Sequence, residues 1–227
     1  MAANDPAFLV SKAEERYSDR LDEIAERIFS DREKRIVMLA GPSASGKTTT
    51  AGLIASRLES RGAKGFTVSL DDFYHDQRDA ILDENGRPDY ETVNALDIAL
   101  IDSCLEDIIK NGTTKLPHFD FVSGRRSGFS DPITLGKDDV LIVEGIHALN
   151  PVITDSLPSE NLMKLYVSVS SRISDEDGDV LMSKRDLRFV RRLVRDYYHR
   201  ASSVERTYDL WGSVPVSYTH LTLPTSD

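Results

Sequence analysis

The stretch Gly41-Pro42-Ser43-Ala44-Ser45-Gly46-Lys47-Thr48 lies between an apolar run, Ile36 to Ala40, and a helix-like segment, Thr49 to Glu59. A glycine-rich turn between strand and helix lets successive backbone N–H groups converge on phosphate oxygens, and the helix adds the positive end of its dipole. In that context the pattern G-x(4)-G-K-[ST] reads as a phosphate-binding P-loop. Gly41, Ser43, Ala44, Ser45, Gly46 and Thr49 are expected to cradle the nucleotide, with Lys47 on the outer phosphates and the Thr48 hydroxyl on Mg²⁺. The donor is therefore expected to be ATP or a similar nucleotide, and the loop says nothing of the acceptor.

The 227 residues suit one domain with a real core, and 40% hydrophobic with 29% charged content is that of a globular protein. No apolar run reaches the length of a membrane span, and Met1 to Pro6 lacks the basic-then-apolar pattern of a secretory signal. Cys104 is the single cysteine, which excludes an intramolecular disulfide and reads as a small core residue. These features point to the cytoplasm. A formal charge of −10 disfavours nucleic acid and anionic membranes as partners, so an anion site has to be a local basic patch near residues 184–200.

Working outward, residues 8–31 carry Tyr17, Leu21, Ile24 and Ile28 at helical spacing, predicting an amphipathic helix ahead of a strand over Arg35 to Ala40. Phe66 to Leu70 reads as the second strand, with Asp71 and Asp72 at its end, where α/β sheets gather their ligands. Gln77 to Tyr90 is a loop, and Thr92 to Lys110 predicts a helix ended by Asn111-Gly112. Lys115 to Ser130, aromatic and basic, reads as an excursion over a site, in the form of a hairpin. Asp139 to Gly145 and Lys164 to Ser170 complete four strands, and their alternation with helices implies a parallel sheet. Arg188, Arg191, Arg192 and Arg195 share one helical face, expected to close as a lid on phosphates and steady transferred charge. Val180 to Asp186 looks like a strand followed by a guanine-type motif, but Val143-Glu144-Gly145 lacks the companion D-x-x-G pattern, so the match reads as accidental.

Five blocks in order carry a resemblance: the P-loop, Ser69-Leu70-Asp71-Asp72-Phe73-Tyr74, Arg87-Pro88-Asp89-Tyr90, Leu116-Pro117-His118-Phe119-Asp120-Phe121 and Val143-Glu144-Gly145-Ile146-His147, with the arginine block and Trp211 as a sixth. Together they resemble the uridine kinase and phosphoribulokinase family of P-loop kinases, in its bacterial uridine kinase-like branch. The resemblance implies a three-layer α/β fold with the strand order of nucleoside-monophosphate kinases and an arginine lid. It implies phosphoryl transfer from Mg-ATP to the 5′-hydroxyl of a nucleoside, uridine or cytidine. Asp71 is then the base and, with Thr48 and Glu144, a metal-side acid; Lys47, Arg188 and Arg192 stabilise the transferring group, and Arg191 and Arg195 hold ATP. Asp89 matches the ribose-binding acid, while Tyr74, Phe119, Phe121 and Arg126 are acceptor-side candidates.

Two departures qualify the resemblance. Gly124 stands where those enzymes carry a base-reading histidine, which keeps open another small hydroxylated acceptor, as in phosphoribulokinase. Residues 214–227 resemble translated adapter sequence rather than the family's last strand and helix, so the organisation expected is a helix over 1–31, an incomplete kinase domain over 32–213 and a tail without function. A nucleotide switch or a defective fragment stays as the alternative class, and a homo-oligomer stays open.

Overall fold

The computed structural model describes residues 6–79, 81–82, 86, 89, 92–121, 123–169, 172–175, 177–199 and 203–211. Arg87, Pro88 and Tyr90 and the expected tail 214–227 lie outside them. Helix α1 (Pro6–Ser30) leads to β1 (Ile36–Ala40), the P-loop, α2 (Lys47–Glu59) and β2 (Gly65–Ser69). Then come α3 (Ile98–Asn111), β3 (Thr113–Thr114), the strands β4 (Pro117–Asp120) and β5 (Arg125–Phe129), β6 (Ile133–Thr134), β7 (Val140–Gly145), α4 (Pro151–Thr154) and β8 (Leu162–Tyr166). A short ribbon of β9 (Ile173–Ser174) and β10 (Val180–Met182) precedes α5 (Lys184–His199) and α6 (Val204–Trp211).

The β1 segment Ile-Val-Met-Leu-Ala has no polar side chain and is buried along its whole length, so it has to be covered on both faces. It lies between β7 and β8, parallel to each, and β2 is parallel to β7, giving the order β2-β7-β1-β8. Alternation divides the strand between two cores. Ile36, Met38 and Ala40 pack with Leu141, Val143 and the α3 residues Ile101, Leu105 and Ile108. Val37 and Leu39 pack with Ile142, with Ile54 and Leu58 of α2, and with Leu21 and Ile28 of α1. The expected three-layer α/β arrangement with a parallel sheet follows from this division.

The expected first helix forms and lies along α2. Tyr17 Oη and Thr50 Oγ1 share a hydrogen bond of 2.7 Å, and Arg57 and Arg61 reach Asp22 and Glu26. The acids of those pairs are more than half exposed and screened by water, so the burial of Leu21 and Ile28, at about 1.5–3 kcal/mol apiece, carries the docking. Among the described residues no helix is long and apolar enough to cross a membrane.

Three boundaries differ from the sequence expectations. The helix expected from Thr92 begins at Ile98, because Asp97 caps it by accepting from Leu100 N at 3.1 Å. Ahead of it Thr92 caps a separate 3-10 turn, Val93–Ala95, and Leu96 makes an isolated antiparallel bridge with Tyr74. The second strand stops at Ser69, whose hydroxyl accepts from Asp71 N at 3.3 Å and starts a 3-10 turn over Leu70–Phe73. The strand expected over 164–170 occupies Leu162–Tyr166 and stands at one edge of the described sheet. The stretch 115–130 does contain a hairpin, β4 antiparallel to β5. Cys104 is buried, as expected of a core residue, and burial pushes its thiol pKa up.

Candidate active site

The carboxyl ends of three neighbouring strands meet at the site. In register, Glu144 of β7 lies between Leu39 of β1 and Ser69 of β2, so the P-loop, Glu144 and the turn bearing Asp71 leave the sheet side by side. A Cβ on Gly41 would stand 2.2 Å from the Val167 carbonyl oxygen, so only glycine lets the loop pass that close to the chain leaving β8. Ala44 takes a left-handed conformation at φ 60°, Gly46 caps α2, and exposed Thr49 lies in its first turn. Ser45 is buried and its Oγ has no hydrogen-bond partner among the described residues. A buried hydroxyl without a partner is costly, and a phosphate oxygen at the loop would accept from it.

Lys47 Nζ donates to Pro42 O at 3.4 Å across the loop, and Thr48 Oγ1 donates to Glu144 Oε1 at 2.8 Å. Burial holds the Glu144 carboxyl above the ordinary range; the Asp71 charge adds to this, while the Thr48 hydrogen bond, the Lys47 charge and a hydrogen bond from Ser69 oppose it. A buried acid destabilised in that way gains from a cation. The hard oxygens of Thr48 and Glu144 suit a hard divalent ion such as Mg²⁺, which is held by few protein ligands and takes the rest from phosphate and water.

The arginine helix closes the phosphate side. The stretch that looked like a guanine motif is its N-cap: Ser183 Oγ donates to Asp186 Oδ2 at 2.7 Å, and Asp186 N donates to Ser183 Oγ at 3.3 Å. From α5, Arg188 Nε donates to Ser43 O at 3.1 Å, Arg191 Nε to Ala44 O at 3.1 Å, and Arg192 Nη1 to Ser43 Oγ at 3.5 Å. Arg195 is directed elsewhere, donating to Asp196 Oδ1 through Nε at 2.9 Å and Nη2 at 2.7 Å. Asp196, only 5% exposed, also accepts from Arg192 Nε and Thr207 Oγ1, and the Trp211 ring of α6 lies under the guanidinium groups of Arg188 and Arg192.

On the acceptor side the candidates divide. Tyr74 and Phe119 are core residues, Phe119 only 2% exposed, while Phe121 at the hairpin tip is 61% exposed and packs edge-to-face with both rings, centroids 6.4 and 5.2 Å apart. Asp89 is half-buried and its backbone N donates to Ile81 O. Arg126 Nη2 donates to Asp97 Oδ2 at 3.0 Å. Gly124 closes the hairpin turn at φ 65°, donating to Asp120 O, a left-handed conformation that glycine adopts at no steric cost. Sequence reasoning set Asp72 beside Asp71 at the end of the second strand but did not foresee its contact with the hairpin, where it accepts from Phe119 N at 3.2 Å and lies 3.3 Å from His118 Nδ1, and it missed Asp97. An aspartate directly before an apolar helical stripe is a cap signal that could have found Asp97; no local pattern marks the hairpin contact of Asp72.

Residues 36–227 match the model of the Phosphoribulokinase / Uridine kinase family. A uridine kinase of Staphylococcus aureus (strain JH9) is 34% identical over 183 residues, spanning 79% of this chain and 76% of that enzyme. A D-glycerate 3-kinase structure from Cryptococcus neoformans var. grubii superposes with a TM-score of 0.58 at 17% identity, covering 88% of this chain and 87% of that one. The structure of a possible uridine kinase from Bacillus stearothermophilus gives 0.53 at 19% identity, over 65% and 79%. The two structures carry the fold; the family model and the staphylococcal relative carry the family. A P-loop facing an arginine helix is the form of an ATP-dependent kinase, and this chain belongs to the phosphoribulokinase/uridine kinase family.

Proposed function

We propose that the chain transfers the γ-phosphoryl group of ATP to the 5′-hydroxyl of a pyrimidine ribonucleoside, uridine or cytidine. The observation that carries this reading is the convergence of Asp71, the Glu144–Thr48 pair and Lys47 at the ends of β2, β7 and β1. The identity with a uridine kinase supports the acceptor.

The P-loop amides, Ser45 and Lys47 hold the outer phosphates, and Arg188, Arg191 and Arg192 meet them from α5. Thr48 and Glu144 would hold Mg²⁺, which when bound supplies neutralising charge to the phosphates. Asp71 accepts the proton of the acceptor hydroxyl as its oxygen bonds to the γ-phosphorus and the bond to the β–γ bridging oxygen breaks, releasing ADP. Asp89 receives the ribose hydroxyls, since one carboxylate can accept both, and the exposed ring of Phe121 offers a stacking face for the base. A lone cysteine and dependence on ATP fit a cytoplasmic enzyme.

A second reading, a different small hydroxylated acceptor, is favoured by Gly124, whose left-handed turn carries no side chain to read a base. ADP release with Mg-ATP and a panel of ribonucleosides, sugar phosphates and hydroxy acids decides between them. Stimulation by uridine or cytidine, abolished in Asp71→Asn, is expected; stimulation confined to a sugar phosphate or hydroxy acid transfers the assignment to the second reading.

A further inference from the structure

Asp97 serves three neighbours at once. Its Oδ1 caps α3 by accepting from Leu100 N at 3.1 Å, its Oδ2 accepts from Arg126 Nη2 at 3.0 Å, and its backbone N donates to Phe73 O at 2.9 Å, at the end of the turn that bears Asp71. Arg126 lies opposite Phe119 in the hairpin register, and its backbone N donates to Asp76 Oδ1 at 2.9 Å. Asp72 accepts from Phe119 N on the other strand. Each strand of the hairpin is thus tied by a carboxylate to the segment 72–76, and the Arg126–Asp97 pair ties the hairpin to the start of α3. Both members are about three-quarters buried, with side chains 25% and 24% exposed, so the pair is only partly screened by water. Arg126 Nε makes no hydrogen bond among the described residues, and the guanidinium is turned toward Asp97 rather than offered at the hairpin tip.

We propose that Arg126 and Asp97 are positioning residues: together they set where the hairpin, with Phe121 at its tip, stands relative to Asp71, and Arg126 influences the acceptor through Asp97 without touching it. The choice of acceptor in the test rests on the nucleoside reading above; the brace itself does not. A group that aims an acceptor changes its apparent affinity while leaving the donor's alone.

The test is a double-mutant cycle with Arg126→Met, which keeps the apolar stem, and Asp97→Asn, which keeps an acceptor for the Leu100 cap. Each single variant is expected to raise KM for uridine about 10-fold with KM for ATP within about twofold, and the double variant to be no worse than the worse single one. A harmful Arg126→Met beside a harmless Asp97→Asn, with effects that multiply in the double variant, makes Arg126 a direct ligand and overturns the proposal. Lowered melting temperatures with unchanged uridine KM make the pair merely structural and overturn it equally. Should the wild type turn over no nucleoside, the nucleoside reading fails, and hydrogen exchange of hairpin amides over 117–120 and 125–129 reads the brace instead. Equal loss of protection in both variants supports it; undiminished protection overturns it.

Discussion

The proposed donor and acceptor sides of the site tie together different parts of the chain. On the donor side polar side chains link the P-loop to other elements: Thr48 to Glu144 of β7, Lys47 across the loop, and three arginines of α5 to Ser43 and Ala44. On the acceptor side acids and rings are occupied with the protein itself, Asp72 and Asp76 on hairpin backbone, Asp97 on a helix cap and Arg126, and Phe119 in the core. The donor side joins the P-loop to Glu144 of β7 and to the arginine helix α5, segments far apart in the chain, whereas the acceptor-side candidates all lie between Asp71 and Phe129. Substitutions confined to that one stretch leave the P-loop untouched, and Gly124 lies within it.

The comparison breaks first at the chemistry. Asp71→Asn is expected to lower turnover about 10²- to 10⁴-fold with little change in melting temperature, since proton transfer to a positioned group contributes that much. Retention of most activity would remove Asp71 from the mechanism. Phe119→Ala and Phe121→Ala sharpen the division within the hairpin. The first empties a core position and should lose about 3–5 kcal/mol of stability, whereas the second should stay within about 0.5 kcal/mol and raise the acceptor KM. Chemical denaturation with parallel kinetics separates them, and equal stability losses would contradict the placement of the two rings.

Asp196→Ala addresses the arginine helix. Removing the buried acid leaves Arg192 and Arg195 without it and should destabilise the fold by about 3 kcal/mol, measured by urea unfolding, while Arg195→Ala should leave ATP affinity nearer wild type than Arg191→Ala does. The smallest effect is a pH dependence. Burial raises the folded Glu144 pKa, so the folded chain keeps a proton that the unfolded chain has lost, and stability falls as pH rises from the ordinary carboxylate range through the raised folded value. Glu144→Gln, without nucleotide or metal, should match the wild-type melting temperature in acid and exceed it above that window. Parallel curves would contradict the burial argument.

What was legible in the sequence follows the same division. The P-loop, the buried strand Ile36–Ala40 and the placement of Glu144 are set by local patterns, and the structure has them at the expected residues. The arginine face was read as a periodicity, but the periodicity could not say that Arg195 would turn to Asp196, whose carboxylate also accepts from Thr207 of α6, a separate element. The helix expected from Thr92 failed for the same reason. Leu96 is apolar and in phase with the stripe, yet its burial comes from a bridge to Tyr74, more than twenty residues upstream. Gly124 was visible as a missing histidine, and its left-handed backbone was not.

The most direct test of the central claim follows the phosphorus atom. The protein is incubated with ATP labelled at the γ-phosphate, Mg²⁺ and either uridine or 5′-deoxyuridine, and the products are separated. Labelled nucleoside monophosphate is expected from uridine and none from 5′-deoxyuridine. Label recovered only as free phosphate, or transferred equally to both compounds, would contradict the claim.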